Sequence, residues 1–309
     1  MQTIQLQNDF MRIVALPELG CKIISIYDIV HDHEWLWKDS WRPLKTAEFG
    51  ARYEDFDISG FDECFPNIGS SIYPLDSEVM LPDHGDLWSI PWNVNSNHLS
   101  MVAEVDGRSL PYLFTRRLEL SGSIIKFHYQ VRNKKDSNIV FIWSAHPLFS
   151  ATGDMRVLLN DAPKMTKEFG FGGRLGSDGM NGYRGQHQVY DWPYSLSDKG
   201  VLVDLSYIKS EGPITDKVVL RSPLDGEIAL EHMDSGRILS FRFSPIEIPY
   251  VGLCFNLGAW PFGVNPGTWV AIELTTGCTD KLSDSFARGV ATTLATGETK
   301  SWSYEIELG

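Results

Sequence analysis

Residues 124–132 read IIKFHYQVR: Ile125, Phe127, Tyr129 and Val131 share one face, and Lys126, His128, Gln130 and Arg132 share the other. Such alternation marks a half-buried antiparallel strand with one wet face. The end of the chain repeats it, with Trp302, Tyr304, Ile306 and Leu308 alternating with Ser301, Ser303, Glu305 and Glu307. Further strand-like runs fall at 10–16, 22–29, 138–146, 200–206, 217–221, 237–244, 250–257, 268–275 and 290–294. Short clusters of Gly, Pro, Asn, Asp and Ser separate them, as in a sandwich. Long amphipathic helical windows are absent. The pattern predicts an all-β chain of two packed sheets, one domain over residues 1–309. Two stretches break the alternation. Residues 40–92 are rich in prolines and motifs, which predicts long loops across one end of the sandwich. Residues 169–185 are glycine-rich, but no Gly-Lys-Ser/Thr follows and no helix begins there, so a flexible surface loop or lid is expected rather than a phosphate cradle.

Composition narrows the function classes. The formal charge of −13 argues against nucleic acid and against anionic membranes, whose phosphates call for basic stripes. No apolar run approaches the ~20 residues that span a bilayer. The N-terminus, MQTIQLQNDF, lacks the basic and apolar regions of a signal peptide, so a soluble, cytoplasmic protein is expected. Cys21, Cys64, Cys254 and Cys278 are scattered without a CxxC pair, which fits reduced structural thiols. Asp62 and Glu63 would raise the pKa of the Cys64 thiol, against a nucleophilic role. Ten tryptophans favour a carbohydrate partner, because flat aromatic faces stack on the C–H faces of sugar rings, although tryptophan also fills cores.

Three segments carry the chemistry: LPDHGDLWSIPW at 81–92, SAHPLF at 144–149 and WVAIELTTG at 269–277. In the last, strand geometry puts Trp269, Ala271 and Glu273 on one face and the core residues Val270, Ile272 and Leu274 on the other. Glu273 thus projects from a rigid strand, a good placement for a general base. His146 closes the apolar run IVFIWSAH and precedes Pro147, which is expected to end ladder pairing at the sheet rim. A histidine there can donate a proton near neutral pH. His84 sits in a turn-rich loop between Asp83 and Asp86, with Trp88 and Trp92 as candidate pocket walls. Trp143 and Trp260 are further wall candidates, although alternation puts Trp143 opposite His146 and towards the core. Asp62, in GFDECFPNIG at 60–69, either contacts substrate or braces its loop.

Other chemistries fit less well. His31-Asp32-His33-Glu34 has no third ligand at a metal-site spacing. Ser144 and His146 share a face, but no GxSxG elbow exists. A two-carboxylate glycosidase would need Asp62 or Glu63 opposite Glu273.

Taken in order, LPELGCKIISIYDIV with HEWLW, PDHGDLW, HPLF, AIELTTGCTDKL and the closing ATGETKSWSYEIEL resemble the aldose 1-epimerase (galactose mutarotase-like) family over most of the chain. The resemblance implies a large antiparallel β-supersandwich with an open sugar cleft. It implies Glu273 as general base, His146 as general acid and His84 as a substrate-binding histidine, acting on a free monosaccharide with no metal or nucleotide cofactor. The family's substrate-binding arginine, found in an Asn-Arg-Ile segment upstream of the first histidine, has no counterpart here, and Arg52 is the available substitute. The hydroxyl-reading aspartate on the C-terminal side is likewise unplaced, so the sugar is left unnamed. A related branch acting on hexose 6-phosphates would need arginines such as Arg52, Arg116, Arg117 or Arg174. A sugar-binding module without turnover is the alternative from another class. An exposed sandwich edge leaves a homodimer open.

Overall fold

A computed structural model describes residues 1–172, 174, 175, 189–197, 199–209, 212–263 and 265–309. In Ile124–Asn133 the four apolar residues of the alternating run are buried and the four polar ones exposed. This strand pairs antiparallel with Tyr112–Ser121 on one side and Thr299–Leu308 on the other. Together they form the middle of a nine-stranded sheet whose outer face meets water.

A second, eleven-stranded sheet packs against it. Its central order is Lys22–Asp28, Phe61–Cys64, Ser144–Ser150, Thr268–Thr275, Tyr250–Leu257, Ile214–Arg221 and Lys164–Phe171. Its middle strands do not alternate in burial: every residue of Phe61–Cys64 and of Tyr250–Leu257 is buried. Both faces are covered, one by the partner sheet and the other by loops that roof a cleft. Aromatic pairs fill the space between the sheets, with Tyr129 and Trp143 ring centroids 4.8 Å apart and Trp143 and Trp302 5.2 Å apart. One apolar cluster runs through both sheets.

A buried ion pair crosses this core. Glu63 accepts hydrogen bonds from Arg116 at 3.1 Å, Tyr129 at 2.7 Å and Trp143 at 2.9 Å. Both charged side chains are 0% exposed, so each depends on the other for compensation. Arg116 also donates to the Cys21 carbonyl, tying in the start of the Lys22–Asp28 strand.

Three expectations are corrected. Residues 40–92 are not simply loops: Phe61–Cys64 is inserted at the centre of the sheet, and Ser71–Tyr73 and Asp76–Leu81 form a hairpin. Phe61–Cys64 is buried at all four positions, which removes the alternation that would have revealed it. The expected strand at 138–146 is two strands, Ile139–Phe141 and Ser144–Ser150. Between them the Trp143 N–H donates to Thr276 Oγ1 and its carbonyl accepts from the Thr276 N–H and Thr275 Oγ1, so side chains replace the ladder. His146 therefore lies inside a strand. Pro147 is accommodated because pairing with Thr268–Thr275 lapses between Ser144 and Leu148. Of the glycine-rich stretch, Phe169–Phe171 ends the Lys164–Phe171 strand, whereas 173 and 176–185, the core of the expected lid, lie outside the described residues. Among the described residues no helix is long and apolar enough to cross a membrane.

Glu63→Ala leaves the Arg116 guanidinium buried without its carboxylate and should cost about 3–5 kcal/mol in urea unfolding. A loss below about 1 kcal/mol, the range of exposed pairs, would show that the pair does not brace the sandwich.

Candidate active site

Register places a row of polar positions across the second sheet. His146 pairs with Asp62 on one neighbouring strand. On the other side, the pairs Ser144–Thr275 and Leu148–Ala271 bracket His146 and set it opposite Glu273. Glu273 in turn pairs with Gly252. Asp62, His146, Glu273 and Gly252 thus occupy four adjacent strands at one level. Glu63, one residue on from Asp62, points to the core.

His84 arrives from outside the sheet on a strained turn. It adopts φ +59°, a left-handed conformation uncommon for a residue with a Cβ, and Gly85 follows at φ +71°. The turn is over-determined. The His84 N–H donates to the Ile68 carbonyl at 2.6 Å and the Asp86 N–H to the Phe65 carbonyl at 2.7 Å. A Cβ on Gly85 would come within 2.2 Å of the Phe65 carbonyl oxygen. Asp86 is buried and accepts from the Arg108 and Ser109 N–H groups, the Ser109 hydroxyl and the Tyr112 hydroxyl, fixing the loop end. The His84 ring stacks on Tyr53 with centroids 3.9 Å apart and meets His146 edge-on at 5.1 Å.

These groups enclose a cavity of about 270 Å³. Its polar wall includes His84, His146, Glu273, Lys217 and Asp280, with Glu54, Asp83 and Thr215 beside them, and Phe169, Trp260 and Trp269 form its aromatic wall. Glu273 Oε2 accepts from Lys217 Nζ at 2.6 Å, and Lys217 also pairs with Asp280 at 2.7 Å. Glu273 Oε1 has no hydrogen-bond partner among the described residues and lies 4.0 Å from His146 Nε2.

Burial and charge tune each group. Burial pushes the Glu273 carboxyl above its ordinary pKa, Lys217 opposes this, and Asp280 adds to it. Burial, then the positive charges of His84, Lys217 and Lys22, holds His146 well below the usual histidine value. For His84 burial acts in the same direction, but the Asp83 carboxylate, 3.2 Å from Nδ1, outweighs it and the pKa rises. Glu168, at the bulge in the Lys164–Phe171 strand, is pushed up to about 8 by burial and by Asp280, with Lys217 opposing.

Four of the residues singled out in the sequence meet at this cavity: His84, His146, Glu273 and Trp260. Five others do not line it. Asp62 is buried beneath, its Oδ2 accepting from Tyr53 at 2.8 Å and pairing with Lys22 at 3.0 Å. Trp88 backs Tyr53 edge-on at 5.2 Å, its indole N–H spent on the Asp83 carbonyl. Trp92 is core, packed on Phe114 and under the Arg116 guanidinium. The Arg52 side chain is 72% exposed and paired with Glu54, because its loop turns it to solvent. Trp143, also named as a wall candidate, is core, as the alternation suggested.

Sequence reasoning missed Lys217, Asp280 and Tyr53. Lys217 had a signal, a lysine inside the buried strand ITDKVVL, and Asp280 lies seven residues beyond Glu273. Tyr53 had none.

No protein-family model matches the sequence, and no curated protein does. Solved structures do. A candidate aldose 1-epimerase from Escherichia coli K12 aligns over 100% of this chain and 99% of its own, at 14% identity and a TM-score of 0.71. A galactose mutarotase related enzyme from Lactobacillus acidophilus aligns over 100% and 97%, at 13% identity and 0.69. A galactose mutarotase-like protein from Lactobacillus casei ATCC 334 aligns over 100% of both chains, at 16% identity and 0.67. This chain has the galactose mutarotase-like fold.

The Asp83–His84 contact is directly testable. Asp83→Asn should lower the His84 titration midpoint by about 1–3 pH units, the effect of an opposite charge at this distance, read by NMR of the imidazole. An unmoved midpoint would show that Asp83 does not charge the ring.

Proposed function

We propose that the protein is an aldose 1-epimerase-like isomerase that interconverts the α and β anomers of a free, unphosphorylated aldose. One observation carries the reading: the free Glu273 Oε1 and His146 Nε2 sit 4.0 Å apart on one wall of a cavity lined by aromatic rings. A sugar whose apolar face lies on Trp260 and Trp269 presents its anomeric end to this pair.

Glu273 takes the proton of the anomeric hydroxyl while His146 delivers a proton to the ring oxygen. The C1–O5 bond breaks, its electron pair goes to O5, and O1 becomes the aldehyde oxygen. Rotation about C1–C2 exposes the other carbonyl face, and the reverse transfers close the ring as the opposite anomer. Each group contributes roughly 10²–10⁴ in rate. His84, held by Tyr53 and Asp83, and Asp280 are placed to hydrogen-bond sugar hydroxyls.

Charge placement favours an unphosphorylated substrate. Arg116 is in the core, Arg117 pairs with Glu119 on the outer face, Arg52 pairs with Glu54 and Arg174 with Asp216. Lys217, a cation on the cavity wall, is taken up by Glu273 and Asp280.

The pH profile follows from the two shifts. Activity needs Glu273 ionised, so it is lost as pH falls through a raised carboxyl pKa. It needs His146 charged, so it is lost as pH rises through a value below the ordinary 6.5. A narrow bell on the acid side of 6.5 is expected. A second reading rests on the Asp83–His84 contact: if His84 is the proton donor, the alkaline limb moves above 6.5.

Anomer exchange by NMR across galactose, glucose, xylose, arabinose, rhamnose and fucose tests the proposal. Acceleration of at least one, reduced about 10²-fold or more in Glu273→Gln, is the expected result. Saturable sugar binding without acceleration would leave a binding module and overturn the isomerase reading.

A further inference from the structure

Lys217 does not belong to the row of residues that faces the cavity from neighbouring strands. Its own strand, Ile214–Arg221, is separated from the Glu273 strand by Tyr250–Leu257. Lys217 pairs there with Cys254, and Glu273 pairs with Gly252 on the same intervening strand. The lysine must therefore lean diagonally across that strand to bring Nζ within 2.6 Å of Glu273 Oε2. It can do so because position 252 has no side chain. A Cβ built there would meet Glu273 Cβ at 3.2 Å, Glu273 Oε2 at 3.3 Å and Lys217 Cε at 3.4 Å, crowding both side chains that form the contact. Gly252 has no positive φ, so backbone conformation does not demand glycine there.

We propose that Lys217, passing over Gly252, is the positioning residue for Glu273: it holds Oε2 and leaves Oε1 facing the cavity. The lysine is 5% exposed and the glutamate 1%, so little solvent screens the contact. The surrounding charges make a cation necessary. Asp280 faces Glu273 from the turn that follows its strand, with Glu168 behind Asp280. His84 faces it from the 81–86 loop and His146 from the adjacent strand, while the thiol of Cys254 lies on the other flanking strand and that of Cys64 one strand beyond His146. Without Lys217 three carboxyl groups would share a buried space, and a proton on Glu273 would relieve the repulsion. A protonated Glu273 cannot serve as a base.

The kinetic part of this inference rests on the proposed isomerase activity, but its central claim does not. The carboxyl carbon of Glu273 is followed by NMR in protein labelled at glutamate Cδ, with Glu273→Gln identifying the resonance. Lys217→Met should raise the titration midpoint of Glu273 by about 1–3 pH units. Where turnover is measurable, the acid limb of kcat/KM should move by the same amount. Gly252→Val keeps both charges but fills the gap, and the same upward displacement is expected, which covers the case in which Lys217→Met fails to fold. A Glu273 midpoint that stays put in either folded variant overturns the proposal. A wild-type protein that accelerates no sugar would sink the isomerase reading, while the NMR titration would still decide the role of Lys217.

Discussion

The Glu63–Arg116 pair is the constraint on which the rest of the structure depends. Glu63 and Asp62 are neighbours on one strand, so they point to opposite faces of the sheet. Glu63 is locked into the sandwich by Arg116, Tyr129 and Trp143, three residues from three different strands or turns. A register slip of one residue would exchange the two carboxylates, leaving Arg116 uncompensated and driving Glu63 into the cleft. The pair therefore sets more than stability. By fixing Phe61–Cys64 it fixes the level at which His146 meets Asp62, and through His146 the position opposite Glu273.

On the cleft side the chain accepts a different cost. Glu273, Lys217 and His146 are nearly inaccessible to water, and burying such groups is unfavourable unless partners compensate. Compensation is partial by design of the geometry. Lys22 pairs with Asp57 and with one oxygen of Asp62 beneath the site, and Lys217 with one oxygen of Glu273 above it. The other Glu273 oxygen is left 4.0 Å from His146 Nε2, and His146 Nδ1 has no partner among the described residues. The same economy appears in the backbone, where His84 holds a left-handed conformation that four hydrogen bonds to Asp86 help to maintain. Polar groups left unpaired and strain held in place by neighbours are features of functional sites.

Legibility in the sequence followed burial. Where one face of a strand meets water, as in Ile124–Asn133 and Thr299–Leu308, alternation was plain and the strands could be drawn nearly to the residue. In Phe61–Cys64, buried on both faces, the pattern vanished and the stretch read as loop. The tryptophans show the same limit from the other side. Trp88, Trp92 and Trp260 look alike in sequence, yet Trp260 walls the cavity, Trp88 supports Tyr53 and Trp92 fills the core.

The sequence by itself determined the all-β class, the sheet faces of Trp269, Ala271 and Glu273, and the three segments that hold the two histidines and the carboxylate. Those properties follow from spacing along a single strand or turn, which a linear pattern records. Only the tertiary structure decided that the segments converge, that Asp62 and Arg52 stand outside the cavity, and that Lys217 reaches Glu273 across a glycine. Each of those facts depends on register between strands far apart in the chain. Register is set by the summed packing of both sheets, a quantity that no local stretch of residues contains.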